Sequence, residues 1–339
     1  MPGLLILPYG GVAPVLGAAP VHAGQGAAVL GRVTMGSGAW LGARAVVRGD
    51  GHYVEIGDDF RLGPGGTVHI AHDVYPTHIG AGVTAGRNSV IHACDVGDGC
   101  CIGRDVVILD GSRVGPGAAL ADGSLVFPRS ELEGGWFYEG QPARPVRRME
   151  PGDIEALHAQ ARAEADEPAA QPVAREGGRA AVFVAATAAL SGRIELGEGV
   201  GIWYGCRLEA GDGEIVVGAR TNVQDNSVLH CAGGSLRIGR KSTIGHNVRM
   251  TDTVVGDGSL VGIGAVLAAG TVVEDDVLVA AGARTEPGQR LTSGWLWGGS
   301  PARPLKTLDD RRRAIIASTW PRYCEYGAAY AAIEAGAAG

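Results

Sequence analysis

Along this chain an aliphatic residue returns every six positions, usually with glycine behind it. The first half reads Ile79-Gly80, Ile102-Gly103, Ile108, Val114-Gly115, Leu120 and Val126; the second reads Ile238-Gly239, Ile244-Gly245, Met250, Val255-Gly256, Val261-Gly262, Leu267, Val273 and Val279. A period of six fits neither the 3.6-residue helical repeat nor the two-residue alternation of a strand. It fits one short strand plus one turn per hexad, with the aliphatic side chain inward and Gly, Asp or Asn supplying positive φ at the corner. Three hexads then close a triangular coil. Stacked coils pair their strands in parallel, about 4.8 Å apart, and bury an aliphatic ladder that no single hexad could bury alone.

The pattern occurs twice. Ile79-Gly80 aligns with Ile238-Gly239, and Gln141-Pro142-Ala143-Arg144-Pro145 with Ser300-Pro301-Ala302-Arg303-Pro304, both at an offset of 159 residues. After the first Pro-Ala-Arg-Pro, Pro151 to Ala165 reads as helix with Ile154 and Leu157 on one face, and Asp166 to Gly178 reads as a linker. After the second, Leu308 to Ala335 again reads as helix, packed against its solenoid. The expected organisation is a first solenoid over 1–150, helix and linker over 151–178, a second solenoid over 179–306 and a C-terminal helix over 307–339.

Composition narrows the classes of function. Glycine accounts for 57 of 339 residues, without the strict Gly-X-Y period of collagen, and 45% hydrophobic residues with a net charge of −7 argue against disorder. The only basic run is Arg311 to Arg313, so no electrostatic footprint for nucleic acid is present. Six cysteines (Cys94, Cys100, Cys101, Cys206, Cys231, Cys324) lack C-x-x-C spacing and read as reduced thiols, which predicts a cytoplasmic protein. Met1 to Pro8 has no basic flank of a signal peptide and no 18-residue apolar stretch exists, so no membrane role is expected. Gly211-Asp212-Gly213 and Gly298-Gly299-Ser300 read as turns rather than phosphate loops.

Three segments carry a family likeness: Val46-Val47-Arg48-Gly49-Asp50, Thr221-Asn222-Val223-Gln224-Asp225-Asn226-Ser227-Val228-Leu229-His230 and Ile244-Gly245-His246-Asn247. They resemble the γ-class carbonic anhydrases, and the likeness covers nearly the whole chain, twice. The resemblance implies a mostly β fold of two tandem left-handed parallel β-helix (hexapeptide-repeat) domains, each followed by an α-helical segment. It also implies a homo-oligomer, a trimer as in the family, with zinc or another divalent metal between neighbouring subunits, and carbon dioxide and bicarbonate as the small-molecule substrate.

In that family each domain supplies three histidines, the first and third from one subunit and the second from its neighbour. Carried onto this chain, His69 and His92 stand at the first and third positions of half one, where Arg87 takes the second; half two keeps His230 and His246 but has Thr251 at the third. A guanidinium about 4 Å from a dication would be repelled by roughly 8 kcal/mol at an effective dielectric of 20, so half one alone should not hold zinc. The losses are complementary. His69 and His92 with His246 rebuild a full set across an unlike interface, whereas His230, Thr251 and Arg87 do not.

Half one keeps Arg48 and Asp50 but has Gly63-Pro64 where half two keeps Gln224-Asp225; half two has Glu209 and Gly211 near the Arg-Asp positions. The resemblance gives Gln224 an orienting role toward hydroxide or bicarbonate and makes Arg48 and Asp50 a brace at the subunit contact. The same residues read equally as a corner amide and an interface ion pair. His72, in the loop after His69, could relay protons with its unperturbed pKa of about 6.5, or could be an exposed loop histidine together with His78. Two other classes remain open: a non-catalytic scaffolding or assembly pseudoenzyme, and a hexapeptide acyltransferase.

Overall fold

The computed structural model describes residues 3–163, 165–166 and 182–337, and the chain divides into two compact units, Met1–Ala169 and Ala170–Gly339. Most of the expected linker, and the expected start of the second solenoid near Arg179, lie outside the described residues. Each unit is a left-handed parallel β-helix.

In the first unit three inward columns run up the coil, one per face. Val47, Val68, Ile91, Ile108 and Val126 form one. Leu62, Ala85, Ile102, Leu120 and Tyr138 form the second, and Ile79, Val96, Val114 and Leu132 the third. The second unit repeats them as Leu208, Leu229, Met250 and Leu267; Ile202, Val223, Ile244, Val261, Val279 and Trp297; and Val217, Ile238, Val255, Val273 and Leu291. Every member of these columns is buried. At about 1.5–3 kcal/mol for each aliphatic side chain taken out of water, the columns are what closes the triangle. Among the described residues no helix interrupts 79–126 or 238–279 and no strand there pairs antiparallel.

Corners are made by residues that accept the left-handed region. Asn88 and Asn247 hold equivalent corners at φ 54° and 55°, and their N–H groups donate to Pro64 O and Asp225 O, each at 2.9 Å. Asparagine tolerates this conformation better than other side chains with a Cβ.

The repeated Pro-Ala-Arg-Pro motif ends each solenoid with a hairpin: Trp136–Gly140 pairs antiparallel with Ala143–Arg148, and Trp295–Gly298 with Arg303–Thr307. Gly298-Gly299-Ser300 lies where the second hairpin reverses. Gly211-Asp212-Gly213, expected as a turn, instead lies inside the strand Arg207–Val217, where the pairing register with Ala189–Leu196 shifts between Ser191 and Arg193. The glycines fit there because Gly211 sits at φ 52° within that irregularity.

Helix α1 (Asp153–Arg162) follows the first solenoid and α2 (Asp310–Ala337) the second. On α2 the buried residues Ile316, Tyr323, Tyr326, Gly327 and Tyr330 fall on one face and meet Phe183 and Trp203. Helix α1 has no buried residue; it is tied down by His158, whose ring nitrogens lie 2.8 Å from Thr84 Oγ1 and 3.1 Å from Gly99 O. None of the described helices is long and apolar enough to cross a membrane. None of the six cysteines forms a disulfide among the described residues, and only Cys324 is partly exposed.

Two outcomes follow from this packing. Ile108→Ala, which opens a void between Ile91 and Val126, should lower unfolding stability by about 2–5 kcal/mol, read as a lower urea midpoint. Burial, helped by Arg162, holds the His158 imidazole below its ordinary value against the hydrogen bond to Gly99 and the charge of Glu155. The neutral ring is therefore the docked form: its contribution is complete above the unfolded value of about 6.5 and is lost as pH falls through the lower folded value. Amide protection over 153–162, taken relative to the intrinsic exchange rate at each pH, should fall between pH 7 and 5; unchanged protection would contradict this.

Candidate metal centre

The polar residues of interest stand one step beyond the inward column of one face. Past the Val47–Val68 pair come Arg48 and His69, and His69 pairs directly with His92 in the ladder. The coil between Thr67–His69 and Val90–His92 carries an extra loop at residues 70–76, which explains why these histidines are 23 residues apart yet adjacent.

They form a connected polar row. Arg48 Nη1 donates to Asp50 Oδ2 in an ion pair with both side chains fully buried. Asp50 Oδ1 lies 3.1 Å from His69 Nε2, and His69 Nδ1 lies 3.4 Å from His92 Nε2. Asp110 Oδ1 lies 2.6 Å from His92 Nδ1. A carboxylate faces each outer nitrogen, an arrangement that suits protons on His69 Nε2 and His92 Nδ1 and would leave two lone pairs converging. Two nitrogens bound to zinc at 2.0–2.1 Å with a tetrahedral angle are about 3.4 Å apart, which matches this separation. The donor set fits a borderline-soft dication with an imidazole preference.

Burial pushes the Asp110 carboxyl up, but the charge and hydrogen bond of His92, with His69 behind it, hold it below the usual range. Cys94, two residues past His92, is pushed well above the ordinary thiol value by burial and by the charges of Asp110 and Asp95. It stays protonated and does not offer a thiolate.

In the second unit His246 stands at the place that Arg87 takes in the first, its side chain buried. A Cβ on the preceding Gly245 would come within 2.8 Å of the Ile263 backbone nitrogen, so only glycine fits that corner. His246 Nδ1 is 3.2 Å from Asp225 Oδ2, and Asp225 Oδ1 accepts the Tyr204 N–H at 3.1 Å. His246 Nε2 lies 3.5 Å from the Tyr323 hydroxyl of α2. Gln224, adjacent to Asp225, is buried and donates from Nε2 to Asn222 Oδ1 at 3.2 Å.

The second unit's own row is different. Glu209 pairs with His230 and His230 with Thr251, so Glu209, Gly211 and Thr251 occupy the places of Arg48, Asp50 and His92. His230 Nδ1 is 3.6 Å from Glu209 Oε2, and its side chain is 46% exposed against 4% for His69. With glycine in place of Asp50, no buried carboxylate holds the ring inward.

The structure thus brings Arg48, Asp50, His69 and His92 together in the first unit and sets His246 against Asp225, next to Gln224, in the second. His72 stands on the 70–76 loop with Nε2 3.1 Å from Asp73 Oδ2. His78, expected in a loop, lies instead on the strand Thr77–Ile79, because the loop ends at residue 76; its Nδ1 is 2.8 Å from Asp95 on the neighbouring coil. Asp110 and Tyr323 were not among the sequence candidates. Asp110 follows His92 by 18 residues, one coil, and that spacing could have revealed it. Tyr323 has no such signal, since helix packing alone places it.

Asp50→Ala should cost about 3–5 kcal/mol, because it removes the carboxylate facing a buried guanidinium. Equilibrium unfolding in urea measures it, and a change below about 1 kcal/mol would show that the pair is not what holds Arg48.

No family model matches the chain. The chain is similar to "Gamma carbonic anhydrase 1, mitochondrial" of Arabidopsis thaliana, 40% identical over 160 residues that cover 45% of this chain and 58% of that protein. It is also similar to "Protein YrdA" of Escherichia coli strain K12, 33% identical over 153 residues that cover 43% of this chain and 83% of that one. The chain thus spans a little over half the length of the Arabidopsis relative, and each match is about as long as one copy of the internal repeat. Among solved structures, a protein assigned as an acetyltransferase from Desulfovibrio desulfuricans superposes with a TM-score of 0.54 at 15% identity, over 87% of this chain and 70% of that one. At that identity the likeness shows the β-helix fold alone.

Proposed function

Because the chain belongs to the γ-carbonic-anhydrase-like family of hexapeptide-repeat proteins, we propose that it binds zinc through His69, His92 and His246 and hydrates carbon dioxide reversibly. The protein is read as an oligomer of this chain, a trimer by family likeness. The observation that carries this reading is the His69–His92 pair, whose facing nitrogens are 3.4 Å apart and whose outer nitrogens are each held by a carboxylate.

Zinc held by three neutral imidazoles supplies the Lewis acidity that makes a hydroxide nucleophile available near neutral pH. The protein's own groups do the rest. Asp50, Asp110 and Asp225 keep the three rings in the required tautomers. Gln224, buried beside Asp225, turns an amide toward the oxygen being transferred. Arg48 holds Asp50 in place, and His72, on an accessible loop, carries the released proton outward.

Two features support a composite site over a separate one in each half. Arg87 replaces the second histidine in the first copy, and Thr251 replaces the third in the second copy. The alternative of a metal-free scaffold rests on the same two replacements and is decided by metal content. Elemental analysis of protein made in zinc-supplemented medium should find about one zinc per chain and none after His246→Ala or His92→Ala, with carbon dioxide hydration by stopped flow lost in parallel. Wild-type protein without zinc, or zinc retained by His246→Ala, would overturn the composite site.

A further inference from the structure

Comparison of the two copies exposes a second pattern beside the histidines. Wherever a histidine is held inward, a carboxylate faces its outer nitrogen, and wherever the histidine or its orientation is lost, that carboxylate is lost as well. His69 has Asp50, whereas the exposed His230 has Gly211. His246 has Asp225, whereas Arg87 has Pro64, the equivalence being fixed by the turn bonds from Asn88 to Pro64 and from Asn247 to Asp225. His92 has Asp110. In the second copy Met250 pairs with Leu267 as Ile91 pairs with Ile108, so Thr251 stands in the place of His92 and Ala269 in that of Asp110.

We infer that Asp110 is a positioning residue for the metal centre: it fixes His92 with its proton on Nδ1, so that Nε2 is presented toward His69 Nδ1. The 2.6 Å contact from Asp110 Oδ1 to His92 Nδ1 makes this bond, and the 3.4 Å separation of the inner nitrogens shows where the lone pair points. The Asp110 side chain is 40% exposed against 12% for His92. It therefore reaches the ring from the solvent side and lies outside the apolar columns. Its removal should leave the fold intact, unlike removal of the buried Asp50. A carboxylate that orients a ligating ring in this way contributes about 10–100-fold in metal affinity where such partners have been removed.

This inference rests on the zinc reading above, and the test separates the two. Asp110→Ala and Asp110→Asn are compared with the unaltered full-length protein, with far-ultraviolet circular dichroism confirming the fold. Zinc affinity is measured by competition with a chelator, and the tautomer of His92 by ¹⁵N NMR of the metal-free protein. Affinity should fall about 10–100-fold in Asp110→Ala and by less in Asp110→Asn, which keeps an oxygen acceptor. His92 should be protonated on Nδ1 in the unaltered protein and become a mixture of tautomers in Asp110→Ala. Unchanged affinity in both variants while the unaltered protein binds zinc would overturn the positioning role and leave the zinc site standing. If the unaltered protein takes up no zinc, the zinc reading fails and the NMR result decides alone: an Nδ1 proton that persists in Asp110→Ala overturns the inference.

Discussion

The register of a closed triangular coil governs this molecule. Once an inward aliphatic side chain is fixed on each face, parallel pairing carries it directly above its counterpart on the previous coil, and every neighbour is fixed with it. A residue one step past the inward column is therefore stacked on the residue one step past it below. That is how Arg48, His69 and His92, far apart in sequence, come to share one edge of the first solenoid. The cost of a slip is high, because moving one residue would turn a column of valines and isoleucines into water.

The same register makes the two copies directly comparable, and they have diverged in opposite directions. The first keeps a row of five interacting polar residues from Arg48 to Asp110 but presents a guanidinium at the neighbouring corner. The second keeps a buried histidine at that corner, backed by Asp225 and covered by Tyr323 of α2, but its row has become Glu209, Gly211 and Thr251. Each inward-held histidine has kept the carboxylate behind it, Asp50 and Asp110 in the first copy and Asp225 in the second, whereas the exposed His230 has Gly211 in that place. A coil whose shape depends only on its inward columns and corner residues can lose site residues without losing its fold, which is why both copies remain regular solenoids.

Much of this was legible in the sequence for the same reason. A six-residue period specifies which residues face inward, so the inward residues from Ile102 to Val126 and from Ile238 to Val279 could be read in advance, as could the adjacency of His69 and His92. The residues that escaped notice are those whose placement depends on something other than the period. Gly211 to Gly213 looks like a turn but belongs to a strand with an irregular register. His78 depends on where a loop closes, and Tyr323 on how a helix docks. Asp110 was within reach of the spacing and was missed because the family pattern includes Asp50 and Asp225 but names no residue at its position.

The central claim is that three imidazoles, two from the first solenoid and one from the second, surround a single zinc ion. X-ray absorption at the zinc edge of the loaded protein tests it most directly. Three imidazole nitrogens at about 2.0–2.1 Å with one further light ligand are the expected shell. A shell containing sulfur, or fewer than three imidazoles, would contradict the account.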